Sequence, residues 1–171
     1  MRAALLLICC LLLPLTASSQ TATGPLDDAQ AHWFAGRRAQ AVETLENALR
    51  GDPHVARWRF TLAWMVQEQG ELPRAEGLLR RLVEDFPDLA EAHNNLAVIL
   101  AGRGDLDAAQ ASLQRAVQLQ PEHVQAQENL GDVLLRLAQR AYTRAAQASP
   151  PRAALNLKLR RVTEWLASTP E

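Results

Sequence analysis

The chain has 171 residues, is 48% hydrophobic and carries a formal net charge of −1, enough for one domain with a continuous core. One Lys accompanies 17 Arg and Ala is abundant, the composition of a GC-rich bacterial gene. The two cysteines, Cys9 and Cys10, both fall in the first ten residues, so nothing beyond them can form a disulfide, a thiolate nucleophile or a Cys-based metal site.

Residues 1–19 read as a secretory signal peptide. Arg2 and the amino terminus supply positive charge, Ala3–Leu13 is an unbroken apolar run, and Pro14 leads into the small residues Thr16 to Ser19. The run is shorter than the roughly 20 apolar residues of a spanning helix. Cleavage is expected after Ala17 or Ser19, with a periplasmic destination. Anchoring by an uncleaved N-terminal segment or by a lipid is the alternative, although neither cysteine follows the small residue that lipidation usually requires. Residues 20–26 form a linker, with Gly24-Pro25 as its breaker.

The first helix is expected over Asp27–Phe34, with an acidic start. Its partner runs over Ala39–Leu49, where Val42, Leu45, Ala48 and Leu49 share a stripe. These two make a partial unit, 27–55. Helix 55–68 then carries Trp58, Phe60, Leu62, Trp64 and Met65. It opens a full unit, 56–89, and a second full unit follows at 90–123. A third begins at 124 but lacks a breaker where its turn should be. Leu130, Leu134, Leu137, Ala138, Ala141, Tyr142 and Ala145 continue at helical spacing, which predicts one helix from Val124 to Ala148. After the Ser149-Pro150-Pro151 break, Leu155, Leu159, Val162 and Leu166 form the stripe of a final amphipathic helix within 149–171.

A fixed step of 34 residues underlies these units. It relates Leu62, Leu96 and Leu130, as well as Ala63, Ala97 and Gly131. The turn glycines Gly36, Gly70 and Gly104 follow it, as do Ala41, Ala75 and Ala109, then Leu45, Leu79 and Leu113, then Pro53, Pro87 and Pro121. Such a period signals a helical solenoid, in which small residues let neighbouring helices approach. The pattern resembles the tetratricopeptide repeat family. Its central unit has His93 at the usual Trp, Leu96-Ala97 for Leu-Gly, Leu100 for Tyr, Ala109-x3-Leu113, and Pro121. The resemblance covers roughly residues 27–137 and implies an all-α helix-turn-helix solenoid. The long helix is an atypical addition, and the last helix is expected to cap the stack.

The resemblance also implies where a ligand sits, because the first helix of each such repeat lines an inner concave face. That face would receive Arg57, Phe60, Thr61 and Trp64, then Glu91, Asn94, Asn95 and Val98, then Glu128, Asn129 and Asp132. Aromatics offer anchoring area, and Asn can bond an extended peptide backbone through both amide atoms. Alternatively, Phe60 and Trp64 pack on Trp33 and Phe34 to complete the short first unit. One subclass of the family clamps a terminal carboxylate with basic residues on this face. Asn95 and Asn129 match a family-typical column, but Arg57 is the only nearby cation, so that mode is not expected. A neutral or positively charged ligand suits Glu91, Glu128 and Asp132 better.

Charge is unevenly placed along the chain. Residues 20–132 hold 17 Asp and Glu against 10 Arg, a balance of −7. Residues 133–161 hold six Arg and one Lys without an acid, a balance of +7. Arg136, Arg140 and Arg144 share one helix face, and Arg160 and Arg161 extend the tract. A solvated helix face is the simpler reading; a surface for anionic lipid or an acidic partner is the alternative. The tract lacks aromatic interleaving, which argues against nucleic acid. Four His at one per unit show no ligand spacing, and no phosphate loop or nucleophile motif is present. The expectation is therefore a non-catalytic module of the bacterial envelope, without cofactor or metal, that binds a protein or peptide on its concave face. Docking as a scaffold subunit through the basic C-terminal helices, or association with a membrane surface through 133–161, are its rivals. The sequence does not fix an oligomeric state.

Overall fold

A computed structural model describes residues 24–148, 150 and 152–168. The expected signal peptide and cleavage site, both cysteines and linker residues 20–23 lie outside the described residues. Eight helices follow one another there, with no strand: α1 Pro25–Phe34, α2 Arg38–Gly51, α3 Ala56–Glu68, α4 Leu72–Asp85, α5 Ala90–Gly102, α6 Leu106–Leu119, α7 Val124–Ala148 and α8 Ala153–Ser168.

Pro25 and Leu26, expected in the linker, instead form the first turn of α1. Proline fits a first helical position because its fixed φ suits the helix and the N–H it lacks would have had no partner there. Asp27 Oδ2 accepts a bond from the Gly24 N–H at 3.3 Å, and Leu26 is buried. The partner helix α2 runs slightly beyond expectation at both ends, from Arg38 to Gly51.

Each paired helix turns through a glycine in the left-handed region: Gly36 at φ 75°, Gly70 at 79° and Gly104 at 87°. The next residue reaches back five positions in every case, Arg37 N–H to His32 O at 2.9 Å, Glu71 to Val66 at 3.2 Å and Asp105 to Leu100 at 2.9 Å. This geometry satisfies carbonyls that the helix end would otherwise leave open. Glycine alone adopts that backbone without a Cβ clash. Gly104→Ala is therefore expected to cost about 1–2 kcal/mol. Gly77 gives the opposite sign. It lies within α4, and an added Cβ would meet nothing within 4 Å. Gly77→Ala should stabilise by about 1 kcal/mol through helix propensity. Urea unfolding of both variants reads the two signs.

The core follows the 34-residue columns. Leu45, Leu79 and Leu113 are buried, as are Ala41, Ala75, Ala109, Ala63 and Ala97. The two helices of a unit pack together, and the second also packs on the first helix of the next unit. Ion pairs join the units at the surface. Arg74 of α4 meets Glu46 of α2, and Arg115 of α6 meets Asp88 at 2.7 Å. The nearly buried Glu76 accepts Arg80 and Arg103, each at 2.8 Å.

The third unit departs from the pattern as the missing breaker suggests. Helix α7 is continuous from Val124 to Ala148, and α8 packs back along its second half. Gln139 Nε2 donates to Thr163 Oγ1 at 3.0 Å, and Lys158 lies over the Tyr142 ring at 5.8 Å. Val162 is buried, and Leu155, Leu159 and Leu166 are half-buried. One small position has a different meaning from its column mates. Gly131 is exposed, and a Cβ there would meet nothing within 4 Å. With α7 continuous, no described helix packs against that position, so no close approach among the described residues requires glycine.

Candidate functional site

The register sets Phe60, Asn94 and Glu128 in one row of the repeat, and Trp64, Val98 and Asp132 in another. Their surroundings differ from unit to unit. Phe60 and Trp64 are half-buried and packed on the core, and Trp64 meets Trp33 at 5.2 Å between ring centroids with a 53° tilt. Arg38 covers Trp33 at 5.2 Å. The short first unit is thus completed by a Trp33–Trp64 contact. Phe34 takes no comparable part, being 82% exposed. Trp64 is consequently a packing residue with an exposed edge, and Trp64→Ala would disturb α1 as well as any ligand. Arg57 is exposed, and Thr61 Oγ1 donates back to the Arg57 carbonyl at 2.9 Å.

The first helices of the next two units, α5 and α7, hold a chain of amides. Gln125 Nε2 donates to Asn129 Oδ1 at 3.2 Å, Asn129 Nδ2 to Asn94 Oδ1 at 2.8 Å, and Asn94 Nδ2 to Asn95 Oδ1 at 3.3 Å. This ladder joins α7 to α5. It corrects the expectation that Asn94 presents its amide to a ligand: the residue is buried, and both of its amide atoms are used within the ladder. A buried amide has to be satisfied in this way, or its desolvation counts against folding. Asn95 and Asn129 remain half-buried, and Asn95 keeps its Nδ2 outside the ladder.

Around the ladder, Val98 is 41% exposed, and Glu91, Glu128 and Asp132 are exposed without an ion pair among the described residues. A cavity of about 440 Å³ opens beside it, lined by Ala97, Val98 and Ala101 of α5, by Asn129, Asp132, Val133 and Arg136 of α7, and by Leu166 of α8. The 34-residue pattern could not foresee Leu166, because α8 belongs to no repeat. The face therefore offers an apolar floor, amide edges and an acidic rim.

The basic tract is less free than its composition suggests. Arg140 makes two bonds to Asp107, at 2.8 and 2.6 Å, and Arg136 donates to the Ala101 carbonyl at 3.3 Å. Arg160 approaches Glu164 at 4.0 Å, whereas Arg144 and Arg161 are exposed. Hydrogen bonding from Arg140, and then the charges of Arg140 and Arg144, hold the Asp107 carboxyl below its ordinary range. A carboxylate whose pKa falls on folding stabilises above its unfolded value and loses that contribution as pH drops through the lower, folded value. The pair fastens the straight part of α7 to the start of α6. Asp107→Asn should therefore speed amide exchange within 138–148 about two- to fivefold near neutral pH, leaving the earlier units unchanged. Acidification of the wild type through the lowered Asp107 value should reduce the protection of the same amides relative to their intrinsic exchange rate at that pH.

Three of the four histidines serve local structure. His93 Nε2 lies 3.0 Å from the Pro87 carbonyl, and His123 Nδ1 accepts the Ala126 N–H at 3.3 Å. His32 Nδ1 accepts Arg37 Nε at 2.9 Å. No group of three or more metal-ligating side chains occurs among the described residues, and no described helix is long and apolar enough to cross a membrane.

Known structures share this architecture at low identity. The first tetratricopeptide domain of Spaghetti (RPAP3), bound to an HSP90 peptide, aligns at TM-score 0.63 and 16% identity, covering 67% of this chain and 90% of that one. The Yersinia enterocolitica type III secretion chaperone SycD, in complex with a peptide of the translocator YopD, aligns at 0.61 and 16%, covering 66% and 91%. MamA from Desulfovibrio magneticus RS-1 aligns at 0.61 and 18%, covering 86% and 76%. No curated protein matches the sequence. Tetratricopeptide repeat profiles match residues 35–99 and 90–123, together more than half of the chain. With the 34-residue register, the three glycine turns and the paired helices, those matches make this chain a member of the tetratricopeptide repeat family.

Proposed function

We propose that the protein is a non-catalytic interaction module of the bacterial envelope, and that the face built from α3, α5 and α7 takes an extended segment of a protein partner. The observation that carries this reading is the amide ladder from Gln125 to Asn95, set beside exposed Val98 and an acidic rim. A ladder already satisfied within the protein holds its amide edges in fixed orientations and leaves Asn95 Nδ2 outside it. Little side-chain entropy is then lost when a backbone binds along them. RPAP3 and SycD, whose structures contain bound peptides, support the general role of this architecture. The envelope assignment rests on residues 1–19, and fusion of that segment to a reporter active only outside the cytoplasm tests it.

The binding face is tested by Val98→Glu, because Trp64 also packs on α1. A second reading, docking through α8, is favoured by one observation: Trp165 is 59% exposed and Leu157 is 38% exposed on that helix. Trp165→Ala separates the two readings. It should lower partner affinity only if α8 is the contact.

A further inference from the structure

Beside the amide-lined face lies a second cavity of opposite electrostatic character. It has a volume of about 590 Å³, between the start of α6, the middle of α7 and the end of α8. Arg136, Arg140 and Arg144 line it at successive turns of α7, and Leu106 and Leu166 supply apolar walls. Asp107 offsets part of this charge, pairing with Arg140 and also feeling the charge of Arg144. Arg144 is exposed and has no hydrogen bond or ion pair among the described residues. Arg136 and Leu166 also line the neighbouring cavity against α5, so the two openings adjoin.

We propose that this cleft is a binding site for an acidic peptide segment, with Arg144 and the outer edge of Arg136 taking a carboxylate. Arg140 acts as a positioning residue. Its bidentate bond to Asp107 fixes the α7 backbone between the other two cations. The Thr143 hydroxyl, also in the lining, adds a donor. Guanidinium groups suit carboxylates because two parallel N–H donors match two oxygens. The shape favours a peptide over a lipid surface. The cations line an open cleft between Leu106 and Leu166, apolar walls that can cover the side chain beside a peptide's acid. An apolar side chain next to the acid would lie between Leu106 and Leu166.

The site stands apart from the α3–α5–α7 reading, which predicts neither a preference for acid nor a role for Arg144. The probes are a fluorescein-labelled peptide with one leucine followed by three aspartates, and the same peptide with three asparagines. Fluorescence anisotropy of the folded protein should show the aspartate peptide binding at least about tenfold more tightly. Raising salt from about 50 to about 300 mM should weaken that binding. Arg144→Glu should remove the preference and Arg144→Gln reduce it, with circular dichroism unchanged, whereas Arg160→Glu should alter affinity by less than about twofold. Equal binding of the two peptides overturns the proposal. So does an Arg160→Glu loss as large as that of Arg144→Glu, which would show diffuse charge attraction. Uptake onto phosphatidylserine vesicles that Arg144→Glu abolishes, without peptide binding, overturns it in favour of a lipid surface.

Discussion

Leu79→Ala is expected to lower the free energy of unfolding by about 2–5 kcal/mol. The side chain is fully buried in α4, in the column it shares with Leu45 and Leu113. Helix α4 packs on both α3 and α5, so a cavity there weakens its own unit and the junction to the next. In a solenoid each unit depends on its neighbours, and the loss should spread along the stack. Leu72 is the control. It starts the same helix but is 47% exposed, and Leu72→Ala should change stability by no more than about 0.5 kcal/mol. Urea unfolding followed by circular dichroism compares the two. A Leu79→Ala loss below about 1 kcal/mol would contradict the packing described for α4.

The second large effect concerns binding. Val98→Glu should weaken capture of a peptide on the α3–α5–α7 face by at least about tenfold while leaving stability within about 0.5 kcal/mol. Val98 is 41% exposed on α5 and lines the cavity with Ala97, Val133 and Leu166. A carboxylate there would be desolvated by an incoming apolar side chain and would add to the charge of Asp132. Isothermal titration with a purified partner segment gives the affinity, and urea unfolding gives the stability. An unchanged affinity would remove the apolar floor of α5 from the binding surface.

Much of the fold was legible because one period repeated in six columns. The glycines at 36, 70 and 104 marked the turns, and the absence of a breaker at Ala138 and Gln139 foretold the long α7. Contacts between distant elements were not legible. Nothing in the spacing placed Leu166 at the cavity that α5 lines, because α8 lies outside the repeat. Nor did it pair Asp107 with Arg140, since charges on separate helices meet only once the crossing is fixed. Asn94 shows the limit at the site. Its register assigned it to the inner face, but the fate of its amide depended on Asn129, 35 residues away, reaching it at 2.8 Å. Gly131 sat in a small-residue column, yet the unit that would have crowded it is incomplete.

Site-specific photocrosslinking in an envelope fraction tests the central claim most directly. A photoreactive residue would replace Val98 on the proposed face, Gln114 on the exposed side of α6, or Leu157 on α8. One dominant adduct is expected from position 98, absent from 114 and 157, with mass spectrometry mapping the partner's attachment to a short extended segment. Adducts from 114 or 157 with none from 98 would contradict that claim.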